Sequence, residues 1–98
     1  MILELAILNI IPEKSAEFEV CFEIAQEIIS SMKGFRGLQL QQCLEDKNRY
    51  ILLVKWEELE DHTIGFRTSD QYLQWKKLLH HFYSPFPVVE HYSMRFEK

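Results

Sequence analysis

Apolar residues recur along this chain in two rhythms. Ile2 to Ile10 is almost continuously apolar, and Pro12 follows where a first helical turn tolerates a residue without an N–H. A helix is expected to begin there. Through it Phe18, Cys21, Phe22, Ala25, Ile28, Ile29 and Met32 return at steps of three and four, forming one apolar stripe with Glu17, Glu23, Gln26 and Glu27 mostly off it. Gly34 is expected to close the helix, because glycine readily takes the left-handed conformation past a helix end. Leu38, Leu40 and Leu44 then alternate with Gln39, Gln41 and Cys43, the period of a strand with one wet face. Asp46, Lys47 and Asn48 make a polar turn, and Tyr50 to Glu57 reads as the returning strand of a hairpin.

The second half repeats the order. A short helix is expected over roughly residues 58 to 67, then a second helical piece, capped by Ser69 or Asp70, with Tyr72, Trp75, Leu79 and Phe82 on one stripe. Ser84-Pro85-Phe86-Pro87 stops it, since proline neither donates a backbone hydrogen bond nor lets its predecessor stay helical. Val88 to Phe96 reads as the last strand. The order βαββαβ is α+β, the ferredoxin-like split βαβ arrangement: a four-stranded antiparallel sheet with its first and third strands in the middle and both helices on one face. Yet the first strand is apolar on both sides, at Ile2, Ala6, Leu8 and Ile10 and at Leu3, Leu5 and Ile7. The third repeats this with Tyr50, Leu52, Val54 and Trp56 against Ile51 and Leu53. Central strands apolar on both faces need both covered, so a second subunit packed sheet to sheet, a homodimer, is expected.

Composition narrows the function. At 98 residues the chain makes one domain, residues 1–98, 47% hydrophobic and 13% aromatic, as in an ordered globular protein. Its net charge of -4 and scattered basic residues argue against nucleic acid as a partner. The start lacks the basic region and cleavage site of a signal peptide, and no apolar run approaches the roughly 20 residues that span a bilayer. Cys21 and Cys43 form no CxxC pair and read as reduced thiols in a cytoplasmic protein.

The junction between the third strand and the second helix carries the candidate chemistry. His62 is the candidate acid or base, because an unperturbed imidazole titrates near working pH. Its spacing from Leu59 and Phe66 turns it toward the sheet; the structural alternative is a core histidine bonded to a carbonyl or an indole N–H. Trp56 either offers its N–H to a substrate oxygen or plugs the core between strand and helix. Tyr72, Trp75 and Phe82 at helical spacing read first as core and only second as pocket lining, and Arg67 either binds an anionic substrate group or pairs with Asp70 or Glu60 in solvent. His91 and Tyr92 point to opposite faces, so only one can reach a given pocket. His80 and His81 project about 100 degrees apart on a helix and make a poor metal pair, and Gly34, Gly37 and Gly65 are too dispersed for a dinucleotide fingerprint. Neither a metal nor a cofactor is expected.

The element order and the run Trp56-Glu57-Glu58-Leu59-Glu60-Asp61-His62, with Phe66, Tyr72 and Trp75 beyond it, resemble the antibiotic biosynthesis monooxygenase (ABM) family of the dimeric α/β-barrel group. The resemblance implies a homodimeric barrel and oxidation of a small phenolic, quinol or polyphenol substrate without a cofactor. Its pocket would hold the ring among Trp56, Phe66, Tyr72, Trp75 and Phe82, with His62 as base and the Trp56 N–H on the developing oxyanion. Two positions depart from the family's patterns. Glu13 stands where a glycine commonly follows the proline that opens the first helix. Haem-degrading relatives combine a strand-one asparagine, a strand-three tryptophan and a histidine further along the second helix; here Asn9 ends its strand and Phe66 occupies the position ten past Trp56, which argues against haem degradation. The competing reading is a non-catalytic dimer that binds a small ligand or serves a stress role, its aromatics filling the space. An open cavity reached by His62 and Trp56 favours the enzyme.

Overall fold

The computed structural model describes residues 1–98 and contains the βαββαβ order: β1 Ile2–Asn9, α1 Ser15–Ser30, β2 Phe35–Gln42, β3 Arg49–Trp56, a turn of π-helix Asp61–Phe66, α2 Asp70–Leu79, a 3-10 turn His80–Phe82 and β4 Val89–Ser93. All strand pairs are antiparallel, in the order β2-β3-β1-β4, so β1 and β3 are central. This is the ferredoxin-like arrangement. Both helices lie on one face, over a core that includes Ala6, Leu8, Phe18, Phe22, Ile29, Tyr50, Leu52, Val54 and Trp75. No helix is long and apolar enough to cross a membrane.

Several element ends differ from expectation. Helix α1 starts at Ser15 rather than Pro12, because Glu13 adopts a left-handed φ of 71° and bends the chain first. That conformation suits glycine, the residue common at this position in the family, so Glu13 carries a backbone strain that glycine would not. The first helix ends at Ser30, and Gly34, at φ 85°, turns the chain into β2 three residues past the cap. Its carbonyl accepts the Glu57 N–H at 2.7 Å, and a Cβ there would overlap the Asp61 carboxylate. Strand β2 stops at Gln42, leaving Leu44 in the turn and 93% exposed. The region around residues 58 to 67 is a π-turn rather than a regular helix, and Ser69 caps α2 by accepting the Tyr72 N–H. Strand β4 is shorter than Val88 to Phe96: Ser93 already pairs with Ile2 at the start of β1, so later residues have no partner strand.

The opposite face of the sheet carries Leu3, Leu5, Ile7, Ile51, Leu53 and Tyr92, with no element of this chain over it. Ile7 and Tyr92 are exposed, as are Met94 and Phe96 beyond β4.

The two left-handed residues make opposite predictions. Gly34→Ala should destabilise the fold by about 1–3 kcal/mol, through backbone strain and overlap with Asp61, whereas Glu13→Gly should be neutral or stabilise it by up to about 1 kcal/mol. Thermal or urea unfolding of the two variants checks both signs.

Candidate active site

Even-numbered residues of β1 face the helices, so Glu4 lies on the same buried side as Ala6 and Leu8. A carboxyl there must find hydrogen bonds or lose its charge. Glu4, 5% exposed, does both. Its Oε1 accepts the indole N–H of Trp56 at 2.9 Å, and His62 Nε2 lies 3.4 Å from the same oxygen. Glu4 and His62 are the two buried polar residues of the chain, and they are in contact.

Local structure aims His62 inward. Asp61 accepts the Glu58 N–H at 3.1 Å and lies 3.7 Å from Lys33 Nζ, which anchors the start of the turn. The Arg67 N–H then reaches back five residues to the His62 carbonyl, the wide turn of a π-helix. Inside, the His62 ring stacks on Trp56 at 5.5 Å with 16° between planes, and Phe66 flanks both. Phe35 meets Trp56 edge-on. On its far side His62 Nδ1 lies 2.8 Å from Nε2 of His91, which β4 places directly opposite Glu4. The result is a continuous row, Trp56, Glu4, His62, His91.

Glu4 and His62 form part of the wall of a cavity of about 380 Å³ between the sheet, α2 and the loop after the 3-10 turn. Ala6, Leu8, Leu52 and Val89 line its sheet side, and Tyr72 and Trp75 its helix side. Tyr83, Phe86 and Pro87 line its loop side, with His80 between them and Tyr72. Arg67, itself exposed, contributes the cationic group.

Of the residues singled out from the sequence, His62, Arg67, Tyr72 and Trp75 reach this cavity. Phe66 and Phe82 are buried in the core behind it, and His91 stands behind His62. Trp56 is fully buried, and the N–H expected to meet a substrate oxygen is committed to Glu4. The sequence reading missed Glu4, His80, Tyr83 and Phe86. For Glu4 the signal existed: it shares strand parity with Ala6 and Leu8, a charge on the buried face. For the others the loop fold decides.

Burial pushes the Glu4 carboxyl up to about 7, against the opposing pull of the Trp56 N–H and the Arg67 charge. His62 moves the other way, to about 3, through burial first and then the Arg67 and His91 charges. The titration near working pH expected of His62 therefore falls to Glu4, and His62 stays a neutral imidazole. Burial also lowers His91, with Arg67 adding to it, and lowers His80, with Lys76 adding to it. Tyr83 is raised, by burial and then by Tyr72 and Glu4. A carboxyl half-ionised near neutrality, in a cavity wall beside a cation, can take a proton from a bound acid and return it. No group of three or more His, Cys, Asp or Glu side chains is gathered for a metal ion.

The profile of the antibiotic biosynthesis monooxygenase family matches residues 1–78. The chain belongs to that family. It is 52% identical over 93 residues to the uncharacterized protein YczJ of Bacillus subtilis (strain 168), covering 95% of this chain and 98% of that one. Among solved structures it is similar to a candidate ABM protein of Bordetella bronchiseptica, with a TM-score of 0.92, 29% identity and 97% of each chain covered. It also resembles SnoaB, a cofactor-independent oxygenase of Streptomyces nogalater, with a TM-score of 0.86, 98% of this chain and 94% of that one covered. At 14% identity the likeness to SnoaB is one of fold.

The raised carboxyl generates a linkage prediction. Because the folded-state value of Glu4 lies above its unfolded value of 4.5, its contribution to stability is fully present below pH 4.5 and is lost as pH rises through about 7. Glu4→Gln keeps an acceptor for the Trp56 N–H and carries no charge. Its stability relative to the unsubstituted protein should therefore grow by roughly 3 kcal/mol between pH 4.5 and pH 8, as read by urea unfolding across pH.

Proposed function

We propose that this ABM-family protein is a cofactor-independent monooxygenase acting on a small aromatic of the phenol, quinol or polyphenol class, with Glu4 rather than His62 as the proton acceptor. The observation that carries this reading is the Glu4 carboxyl, held near neutral pKa in the wall of a 380 Å³ cavity that Arg67 also lines. A fixed base and a fixed cation in one apolar cavity favour the anion of a weakly acidic ring. That SnoaB is a cofactor-independent oxygenase on the same fold is consistent with it.

The chemistry balances without an added reductant. Glu4 removes a proton, and the electron-rich anion, held between Tyr72 and Trp75 with its charge toward Arg67, gives electrons to dioxygen and forms a carbon–oxygen bond. The proton held on Glu4 returns as the O–O bond breaks, one oxygen leaving as water and the other staying as a carbonyl. The sum is RH₂ + O₂ → R=O + H₂O, with all four electrons drawn from the substrate. Tyr83, Phe86 and Pro87, which line the loop side of the cavity, would limit the access of water to the intermediate.

The dimeric barrel belongs to the same reading. The uncovered face of the sheet, with Leu5 opposite Leu53 and Ile7 opposite Ile51, would pack against its counterpart in a second copy, and the tail through Met94 and Phe96 would reach the partner. The free thiols Cys21 and Cys43 fit a cytoplasmic setting.

Oxygen uptake over a panel of quinols and polyphenols tests the activity. Turnover should rise with pH through about 7, since only the carboxylate accepts a proton, and Glu4→Gln should lower it roughly a hundred- to ten-thousandfold while the protein stays folded. A folded Glu4→Gln variant with undiminished turnover would remove Glu4 from the mechanism, and a protein inert toward every quinol would leave a ligand-binding dimer. Light scattering should show a dimer for the native chain and a monomer for Leu53→Asp, which buries an unpaired charge in the proposed interface.

A further inference from the structure

The row of side chains behind the cavity does more than the proposed reaction requires. A base needs one proton acceptor, yet Glu4 is followed by two imidazoles in series, with His62 Nε2 3.4 Å from Glu4 Oε1 and His62 Nδ1 2.8 Å from His91 Nε2. Nδ1 of His62 is thus hydrogen-bonded toward β4, while Nε2 faces the cavity carboxyl across a longer gap. Glu4 and His62 are buried, and His91, at the end of the row on the edge strand, is half-buried. His91 lies on the helix-facing side, away from the uncovered sheet face, so pairing of that face would leave it in place.

We propose that His62 and His91 form a proton relay that connects the Glu4 carboxyl to solvent while a bound ligand covers the cavity. Two arrangements of the row, with His62 Nε2 drawn up to the carboxyl, differ by the position of one proton. In the first, Glu4 is protonated and donates to His62 Nε2, His62 Nδ1–H donates to His91 Nε2, and His91 carries its hydrogen on Nδ1. In the second, Glu4 is a carboxylate accepting from His62 Nε2–H, His62 Nδ1 accepts from His91 Nε2–H, and one proton has passed from His91 Nδ1 to water. Each ring gains one proton and loses one, so neither accumulates charge, and return along the same path restores the first arrangement.

Low basicity suits a conductor of this kind, because an imidazole that held the proton would trap it. His62, lowered by burial, Arg67 and His91, and His91, lowered by burial and Arg67, both meet this need. Arg67 also acts on Glu4, and Tyr72, His80 and Tyr83 are the remaining titratable groups of the cavity wall. The side-chain partners of the two relay imidazoles are each other and Glu4, not these four groups. The Trp56 N–H holds the carboxyl oxygen at the head of the row and its indole stacks on the His62 ring; it positions and does not carry protons.

The relay rests on the monooxygenase reading for its purpose, but not for its test. In protein with nitrogen-15 imidazoles and carbon-13 carboxyls, the ring nitrogens of His62 and His91 should change tautomer with the same midpoint as the Glu4 carboxyl, and the change should vanish in Glu4→Gln. Glu4 titrating while both rings stay unmoved would overturn the relay. In turnover of a quinol, His91→Ala should slow the reaction roughly ten- to a hundredfold and raise its solvent deuterium effect, because proton transfer then limits the rate, with added imidazole restoring the rate. His91→Phe, which fills the space, should be equally slow and not restored. Wild-type turnover in His91→Ala, with an unchanged isotope effect, would overturn it as well. A native protein that oxidises no quinol would defeat the enzymatic reading alone, and the titration would still decide the relay.

Discussion

A carboxyl group on the buried side of a central strand is the constraint around which this molecule is arranged. Left without partners, Glu4 would cost several kcal/mol on transfer from water. The fold answers with one donor, the Trp56 N–H, and with a neutral imidazole beside it. Supplying that donor fixes Trp56 at the end of β3, sealed by Phe35 edge-on and by the stacked His62 and Phe66. The π-turn then follows: a wide turn directs His62 onto the indole and still returns the chain to α2 through the Arg67 N–H. Residues that resemble a pocket lining in sequence serve here as the support that holds one carboxyl still.

Opposite shifts at Glu4 and His62 have a common origin. Burial penalises charge on both, raising the acid and lowering the base, so the neutral pair is favoured over an ion pair. Arg67 acts from the exposed rim and moderates the shift at Glu4, which leaves the carboxyl near neutrality. A group in that range exchanges protons readily in both directions, and its strain against the apolar surroundings is a stability that the fold forgoes at neutral and alkaline pH. Proteins commonly accept such a loss where a reactive group must be held.

The two faces of the sheet divide the labour. The helix-covered face holds the cavity and the row of polar groups, closed at one end by the backbone pairing of Ile10 with Tyr83 and the Ile11 N–H to Phe82. The other face is apolar across β1 and β3 and lacks any covering element in the chain, a surface suited to a second sheet.

Periodicity determined much of this from the sequence alone. The alternation in Tyr50 to Trp56 fixed which side of β3 is buried, the three- and four-residue steps from Phe18 to Ile29 fixed the inner stripe of α1, and Ser69 or Asp70 marked the start of α2, because each signal is local. Element ends were less legible, since β4 stops where β1 runs out of partners and α1 waits for the left-handed Glu13. The site lay between these cases. His62, Arg67, Tyr72 and Trp75 were readable from residue type and spacing, and the parity of Glu4 with Ala6 and Leu8 was there to be read. What only the tertiary structure decided is which partner each group meets. The indole of Trp56 turns to Glu4 rather than to open cavity, and His91 lands opposite Glu4 by strand register. The Ser84 to Pro87 loop brings Tyr83 and Phe86 over a cavity more than 70 positions along the chain from Glu4. Hydrogen bonding and desolvation act through space, so a residue's pKa and its role belong to neighbours that sequence order does not name.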